Sequence, residues 1–211
     1  MSQLTDTLST VAHGKHVLNK INSWVKPDKR KARFPLNLLG SKALVHHQPY
    51  GVVGIISPWN FPVALSLGPL IEVFAAGNNA MMKLSEFVPE TSKLMADLVN
   101  KYFSEDELVI INGGTQTSVD FTTLDFDHLL YTGSTAVGKK VCAAAANNLV
   151  PVTMELGGKS PVVVSNQSNL KKSVNQIMTG KTVNAGQICV APDYAFVPTE
   201  SQDEFVSLAR D

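Results

Sequence analysis

The sequence has few of the features that mark secreted or nucleic-acid-binding proteins. Its 211 residues include two cysteines, Cys142 and Cys189, which are too few for a disulfide framework and lack metal-ligand spacing. Basic and acidic residues balance at 18 each, so no basic excess points to nucleic acid or an anionic membrane. No apolar run is long enough for a signal peptide or a membrane span. We therefore expect a cytoplasmic, reducing setting, with no metal site, no membrane span and no nucleic-acid partner.

The chain also lacks a GxGxxG fingerprint, yet predicted strands and helices alternate regularly from residue 51 onwards. The predicted strands are 51–57, 80–84, 107–113, 128–133 and 151–156. The predicted helices between them are 61–78, 89–103, 115–123 and 135–148; in the second, Leu94, Leu98 and Tyr102 line one face. Continuous apolar strands that alternate with helices predict an α/β fold, a doubly wound (Rossmann-like) parallel sheet of about five strands.

Pattern and composition divide the chain into three parts. Residues 1–50 are largely polar and weakly patterned, and we interpret them as a connector or the remnant of a helical region. Their basic run, KPDKRKAR at 26–33, is typical of a solvated connector rather than a nucleic-acid patch. Residues 51–157 form the predicted sheet domain. Residues 158–211 begin a second α/β unit, which is too small to form a good core alone.

Polar residues with chemical potential follow the predicted strands, where doubly wound sheets bind ligands. PWNFP (58–62) holds Asn60 between two prolines, and a rigid side-chain amide can donate to a developing oxyanion. KLSE offers Lys83 and Glu86 for the hydroxyls of a ribose. YTGSTAVGKK places Gly133 and Ser134 before a helix N-terminus, which suits a phosphate. Taken alone, each motif also fits an ordinary turn or a surface ion pair.

Two further motifs carry a candidate base and a candidate nucleophile. MELGGKSP ends an apolar strand at Glu155, which could act as a general base or simply face solvent. NAGQICVAPDY contains Cys189, which alone is more typical of inert packing, as Cys142 is within VCAAAA. A thiol hydrolase would pair Cys189 with a histidine, but the five histidines (13, 16, 46, 47 and 128) fall in no recognisable partner motif.

With these five motifs in this order, the sequence resembles the NAD(P)-dependent aldehyde dehydrogenases over about residues 15–211. INGG (111–114) and GQICVAPDY look like the class 3 branch, and the stretch from Trp24 to Val63 looks most similar to the bacterial coniferyl aldehyde dehydrogenases. The resemblance implies oxidation of an aldehyde, coniferyl or another aromatic or aliphatic one, to its acid with NAD, NADP also being accepted. Family members are longer, so the chain looks like a fragment of a homodimeric or homotetrameric enzyme, and we expect these 211 residues alone to be inactive. The alternative is a truncated fragment that binds a dinucleotide or pairs with a subunit without turnover.

The resemblance also implies a role for each matching residue. Cys189 would be the nucleophilic thiolate, Asn60 the oxyanion donor and Glu155 the base that activates water. The residues implied in cofactor binding are Ile56, Pro58, Trp59, Asn60, Lys83, Ser85, Glu86, Gly114, Gly133, Ser134, Val137, Glu155 and Leu156. Glu86 favours NAD because a carboxylate repels a 2′-phosphate. The sequence departs from the family at Leu84, where a proline is usual, and we expect little functional effect from it.

Overall fold

The computed structural model describes residues 3–210, with side chains from Thr5 onwards. The chain forms two compact units, the first ending at Glu155 and the second beginning at Leu156. The first unit contains a short π-helical turn (Gln3–Leu8), seven strands and five α-helices. The second contains two strands and two α-helices.

The first unit is built on a five-stranded parallel sheet, as the sequence predicts. Its strands are β3 (Val52–Ile56), β4 (Asn79–Lys83), β5 (Leu108–Ile111), β6 (His128–Gly133) and β7 (Val152–Leu156). Their order across the sheet is β5-β4-β3-β6-β7, so the chain winds outwards in both directions from β3. Ile56 pairs with Lys83 on one side and with Tyr131 on the other, which places the carboxyl ends of these three strands at one edge.

Helices cover both faces of this sheet, which confirms the doubly wound architecture. They are α2 (Ala64–Ala75), α3 (Pro89–Tyr102), α4 (Thr115–Phe121) and α5 (Thr135–Ala146). One apolar cluster joins Ile55 and Met82 of the sheet to residues of α2 and α3, and a second joins Leu129 to residues of α4 and α5. Ile55, Met82 and Leu129 are fully buried, so the two clusters form the core on opposite sides of the strands.

Helix α3 does not bury the face that carries its row of large apolar residues. Leu94, Leu98 and Tyr102 do lie along one face, but this face is exposed. The buried residues of α3 are Ser92, Met95 and Val99. Apolar residues occur on both faces of this helix, and the sheet covers the face that combines Met95 and Val99 with a serine whose hydroxyl finds a partner.

The N-terminal segment, described from residue 3 to residue 50, contains a helix and a small two-stranded sheet. Helix α1 (Ser9–Trp24) packs against α2 and buries Thr10 and Val17. Strand β1 (Asp28–Arg30) pairs antiparallel with β2 (Ala43–Val45) in a separate two-stranded sheet. The basic run around β1 is exposed, as expected for a solvated segment.

The second unit contains a two-stranded parallel sheet of β8 (Ser160–Val163) and β9 (Pro192–Phe196). Helix α6 (Leu170–Thr182) connects these strands, and α7 (Gln202–Arg210) packs against α6. Strands and helices therefore alternate along the second unit in the order β8, α6, β9 and α7. Val174 of α6 is fully buried.

Candidate active site

The carboxyl edge of the five-stranded sheet brings together most of the candidate residues in the first unit. Ser57–Asn60 follow β3, Lys83–Glu86 end and follow β4, and Gly113–Gly114 follow β5. Gly133 ends β6, and Glu155 lies near the end of β7. Parallel strands present their carboxyl ends at one edge, so these segments from distant parts of the sequence become neighbours.

Lys83 and Glu86 form an ion pair at this edge. The Lys83 side chain is 1% exposed, and its Nζ lies 3.1 Å from Glu86 Oε2, on a carboxylate that is 34% exposed. Burial alone would raise the pKa of Glu86, but hydrogen bonds from its own backbone amide and from Lys83, together with the Lys83 charge, lower it overall. The carboxylate is thus held ionised beside Lys83 and can accept hydrogen bonds from hydroxyl groups.

A chain of hydrogen bonds holds the loop that carries Glu86. Ser85 is buried, its Oγ accepts the Phe87 amide, and its carbonyl accepts the hydroxyl of buried Ser92 at 3.0 Å. Asn112, after β5, in turn donates to the Ser92 carbonyl at 3.1 Å. Sequence reasoning selected Ser85 but missed Ser92, which resembles any other helical serine until its burial is known.

The Gly133–Ser134 turn leads from β6 into α5. The Ser134 hydroxyl accepts the Val137 amide at 3.3 Å and caps the helix, whose first N–H groups and positive dipole end face the site edge. Tyr131 lies over Gly133, and its hydroxyl donates to the Ser134 carbonyl at 3.3 Å. A side chain at Gly133 would meet this phenol, so only glycine leaves the turn unobstructed. The turn therefore fits the phosphate of a dinucleotide.

Tyr131 is a second residue that sequence reasoning missed. It is buried, and this burial raises the pKa of its phenol, against a smaller lowering by the hydrogen bonds with Ser134. The available signal was its spacing of two from Gly133, which puts both residues on the same side of a strand. The phenol thus stays protonated near neutral pH and can donate.

The loop between β3 and α2 presents Trp59 and Asn60. Ile56 is buried at the end of β3, Pro58 and Asn60 are half-buried, and Trp59 is 42% exposed. The Ser57 amide donates to the Lys83 carbonyl at 3.1 Å, which ties this loop to the end of β4. Asn60 therefore stands on the same edge as the Lys83–Glu86 pair, next to the start of α2.

The remaining first-unit candidates lie at the ends of their elements. Gly114 immediately precedes α4, and nothing lies within 4 Å of the position that its Cβ would occupy, so a ligand could approach the backbone there. Val137, in the first turn of α5, is 46% exposed. Glu155 is exposed on β7, and Leu156, where the second unit begins, is 37% exposed. Of the two interpretations of Glu155, a general base and a solvent-facing residue, both stay open at an exposed position.

Cys189 lies in the second unit, on an exposed turn between α6 and β9. The turn follows three consecutive residues with left-handed backbone, Asn184, Ala185 and Gly186, two of which are not glycine. Such conformations cost of order 1 kcal/mol or more at each non-glycine residue and concentrate at functional sites. Cys142, in contrast, is half-buried within α5. The alignment of Cys189 with Asn60 and Glu155, which belong to the first unit, stays a prediction.

His128 begins β6 and therefore lies at the end of this strand opposite to Gly133. Its Nε2 lies 2.9 Å from Thr153 Oγ1, its ring stacks on Tyr50, and burial lowers its pKa. These contacts give His128 a packing role, away from the carboxyl edge of the sheet. Over residues 3–210, no group of three His, Cys, Asp or Glu side chains could hold a metal ion, and no described helix has the length and apolar character to cross a membrane.

Comparison with known proteins places these features in a family context. The sequence profile described as "Aldehyde dehydrogenase family" matches residues 3–211. Among curated relatives, coniferyl aldehyde dehydrogenase of a Pseudomonas species is 50% identical over 98% of this chain and 42% of its own length. Aldehyde dehydrogenase family 3 member A2 of Rattus norvegicus is 44% identical over 86% of this chain and 38% of its own length. The chain thus spans less than half the length of these relatives.

Two solved structures show the same fold. A substrate-bound state of Staphylococcus aureus AldH superposes with a TM-score of 0.94 at 38% identity, covering 99% of this chain and 45% of that one. A Mycobacterium tuberculosis aldehyde dehydrogenase complexed with NAD+ superposes with a TM-score of 0.81 at 27% identity, covering 94% of this chain and 41% of that one.

Proposed function

The chain belongs to the aldehyde dehydrogenase family, and we propose that it carries the nucleophile, base, oxyanion donor and dinucleotide site for NAD(P)-dependent oxidation of an aldehyde. The observation that carries the proposal is the sheet edge where Asn60, the Lys83–Glu86 pair and the Gly133–Ser134 turn converge. A buried lysine paired with a partly exposed carboxylate, on the same sheet edge as an exposed helix N-terminus, is the chemistry that a ribose and a pyrophosphate require.

The proposed reaction begins when the Cys189 thiolate attacks the aldehyde carbonyl and forms a C–S bond. The carbonyl π electrons move to oxygen, and this oxyanion accepts hydrogen bonds from the Asn60 amide and the Cys189 backbone N–H. Bound NAD(P) would supply the hydride acceptor, which leaves a thioester on Cys189. Glu155 takes a proton from water, the resulting hydroxide attacks the thioester, and the acid leaves as the thiolate reforms. The exposure of Cys189 and Glu155 supports these roles, because both groups can meet a solute.

For the cofactor, we propose NAD as the preferred dinucleotide. The Glu86 carboxylate is held ionised by Lys83, and a ribose 2′-hydroxyl can donate to it, whereas a 2′-phosphate meets its negative charge. Lys83 offsets part of this repulsion, so NADP would bind more weakly rather than be excluded. The remaining cofactor contacts that we propose are Ile56, Pro58, Trp59, Ser85, Gly114, Val137 and Leu156.

For the substrate, we propose coniferyl aldehyde or another aromatic or aliphatic aldehyde. The support is the name of the 50% identical Pseudomonas relative. We propose that the full-length enzyme is cytoplasmic and forms a homodimer or a homotetramer. Free Cys142 and Cys189 are consistent with a reducing compartment.

A second candidate function is dinucleotide binding without turnover. The groups proposed for the ribose and the pyrophosphate, Lys83, Glu86, Gly133 and Ser134, all lie in the first unit, whereas Cys189 lies in the second, so these contacts do not depend on the nucleophile. Fluorescence titration of Trp59 with NAD, in a Trp24→Phe background, tests binding alone. No change in fluorescence would contradict both functions.

Incubation with NAD and a panel of aldehydes that includes coniferyl aldehyde tests turnover through the formation of NADH. Cys189→Ala must abolish the signal while leaving the NAD titration unchanged. Glu155→Gln should allow one equivalent of NADH and then stop at the thioester. Signal that survives Cys189→Ala would refute the nucleophile assignment, and binding without NADH would favour the second function.

A further inference from the structure

A carboxylate from the N-terminal segment reaches the start of α2. Asp6 is 7% exposed, and its two oxygens accept hydrogen bonds from the backbone amides of Val63, at 3.3 Å, and Ala64. Helix α2 has no cap from its own N-cap side chain. The first amides of a helix lack internal partners, and the positive end of the helix dipole lies there. Asp6 therefore acts as the N-cap of α2 although it lies 57 residues away from Val63 in sequence.

The capped turn is the segment that carries Asn60. Between Asn60 and the cap lie Phe61 and Pro62, whose carbonyls accept the Leu65 amide at 3.0 Å and the Ser66 hydroxyl at 2.6 Å. Ser66 is fully buried, which fixes the Pro62 carbonyl against the helix. Any displacement of the first turn of α2 is therefore transmitted directly to Asn60.

Asp6 is itself held in place. The hydroxyl of Thr10, which is 8% exposed, donates to the Asp6 carbonyl at 2.7 Å, and α1 packs along α2. The N-terminal segment thus contacts α2 in two ways, through the packing of α1 and through the hydrogen bonds of the buried Asp6 carboxylate.

We infer that Asp6 is a positioning residue: its carboxylate fixes the Asn60 loop, residues 58–63, and so sets the direction of the Asn60 amide. The catalytic consequence rests on the proposed function, in which this amide donates to the oxyanion. An oxyanion donor must be held at hydrogen-bond distance from where charge develops, so a loosened loop weakens stabilisation without removing the donor.

Hydrogen exchange measured by mass spectrometry tests the inference on the folded chain. Asp6→Ala should raise exchange of the amides at 63–66 about fivefold, the factor expected from loss of one N-cap. Asp6→Asn, which keeps one acceptor oxygen, should give a smaller increase. The matched control is Asp127→Ala, because Asp127 Oδ2 accepts the Val52 amide at 2.7 Å at the opposite end of β3. This control should leave exchange at 63–66 unchanged.

If Asp6 only stabilised the fold as a whole, Asp6→Ala would raise hydrogen exchange in β3 and at 63–66 together. Either this joint rise or an unchanged exchange rate at 63–66 would overturn the inference. A second readout is acrylamide quenching of Trp59 in the Trp24→Phe background, which should rise in Asp6→Ala and not in Asp127→Ala. Failure of the proposed function is seen separately, as aldehyde turnover that survives Asn60→Ala, whatever the exchange result.

Discussion

Gly133→Ala gives the sharpest test of how the phosphate turn is built. An ideal Cβ at this position would overlap Tyr131 Oη and lie 2.6 Å from its Cζ, far inside van der Waals contact. Tyr131 is 6% exposed and hydrogen-bonded to Ser134, so its ring cannot simply move into solvent. Overpacking of this kind lowers the free energy of unfolding by about 1–3 kcal/mol, and we expect Gly133→Ala to fall in this range.

The same displacement should weaken dinucleotide binding. A phenol pushed away from residue 133 pulls or releases the Ser134 carbonyl, and Ser134 caps α5 at the proposed pyrophosphate contact. A loss of about 1.4 kcal/mol of binding free energy raises Kd about tenfold, and we expect at least this increase for NAD. Chemical denaturation measures the stability change, and titration of Trp59 fluorescence in the Trp24→Phe background measures Kd.

Substitutions at Tyr131 show whether the cost of Gly133→Ala comes from the clash between the new Cβ and the Tyr131 ring. Tyr131→Phe keeps the ring carbon at 2.6 Å, so Gly133→Ala should remain nearly as costly in that background. Tyr131→Val removes the ring, and there Gly133→Ala should cost markedly less. Equal costs in the phenylalanine and valine backgrounds, or an alanine variant with unchanged stability and Kd, would refute the steric explanation.

Further predictions concern the ion pair, the core and one helix end. Lys83→Met should weaken NAD binding by about tenfold or more in the same titration, because it removes the cation and leaves Glu86 without its partner. The folded-state pKa of Glu86 is lowered, so the ionised Glu86 side chain stabilises the fold above the ordinary glutamate pKa, and this stabilisation is lost as pH falls through the lowered value. Glu86→Gln should therefore reduce the pH dependence of the free energy of unfolding across that range. Met82→Ala, at a fully buried position, should cost about 2–5 kcal/mol in chemical denaturation. Leu149→Gly should stabilise by up to about 1 kcal/mol, measured as a raised Tm, because Leu149 is 88% exposed with φ of 56°.

The sheet could be predicted because each of its strands is a short apolar run bounded by turn residues, and parallel strands bring their carboxyl ends together. This rule predicts that Lys83, Gly133 and Asn60 lie at one edge of the sheet, and the structure has them there. The buried face of α3 could not be predicted in the same way. Leu94 and Leu98 repeat with helical spacing, and so do Met95 and Val99, and only the position of the sheet decides between the two faces.

The parts of the site that the sequence does not disclose are tertiary contacts between polar residues. Asp6 lies in a polar segment without a strong apolar pattern, and its value as a helix cap depends on α1 lying against α2. Ser92 and Tyr131 similarly gain their importance from the carbonyl oxygens that they reach. No local pattern encodes such partners, because hydrogen bonding between distant segments depends on the packing of the whole domain.

The conformation of the turn before Cys189 depends both on local sequence and on the packing around it. The sequence NAGQIC shows one glycine, which favours a tight turn, but it does not indicate that Asn184 and Ala185 also take left-handed backbone conformations. Local preference opposes this conformation, more strongly for alanine than for asparagine, so the surrounding structure must impose it. Strain of this kind is retained where a side chain has to be presented in one direction, and the residue presented here is an exposed cysteine. The backbone thus supports the nucleophile reading of Cys189 independently of the family resemblance.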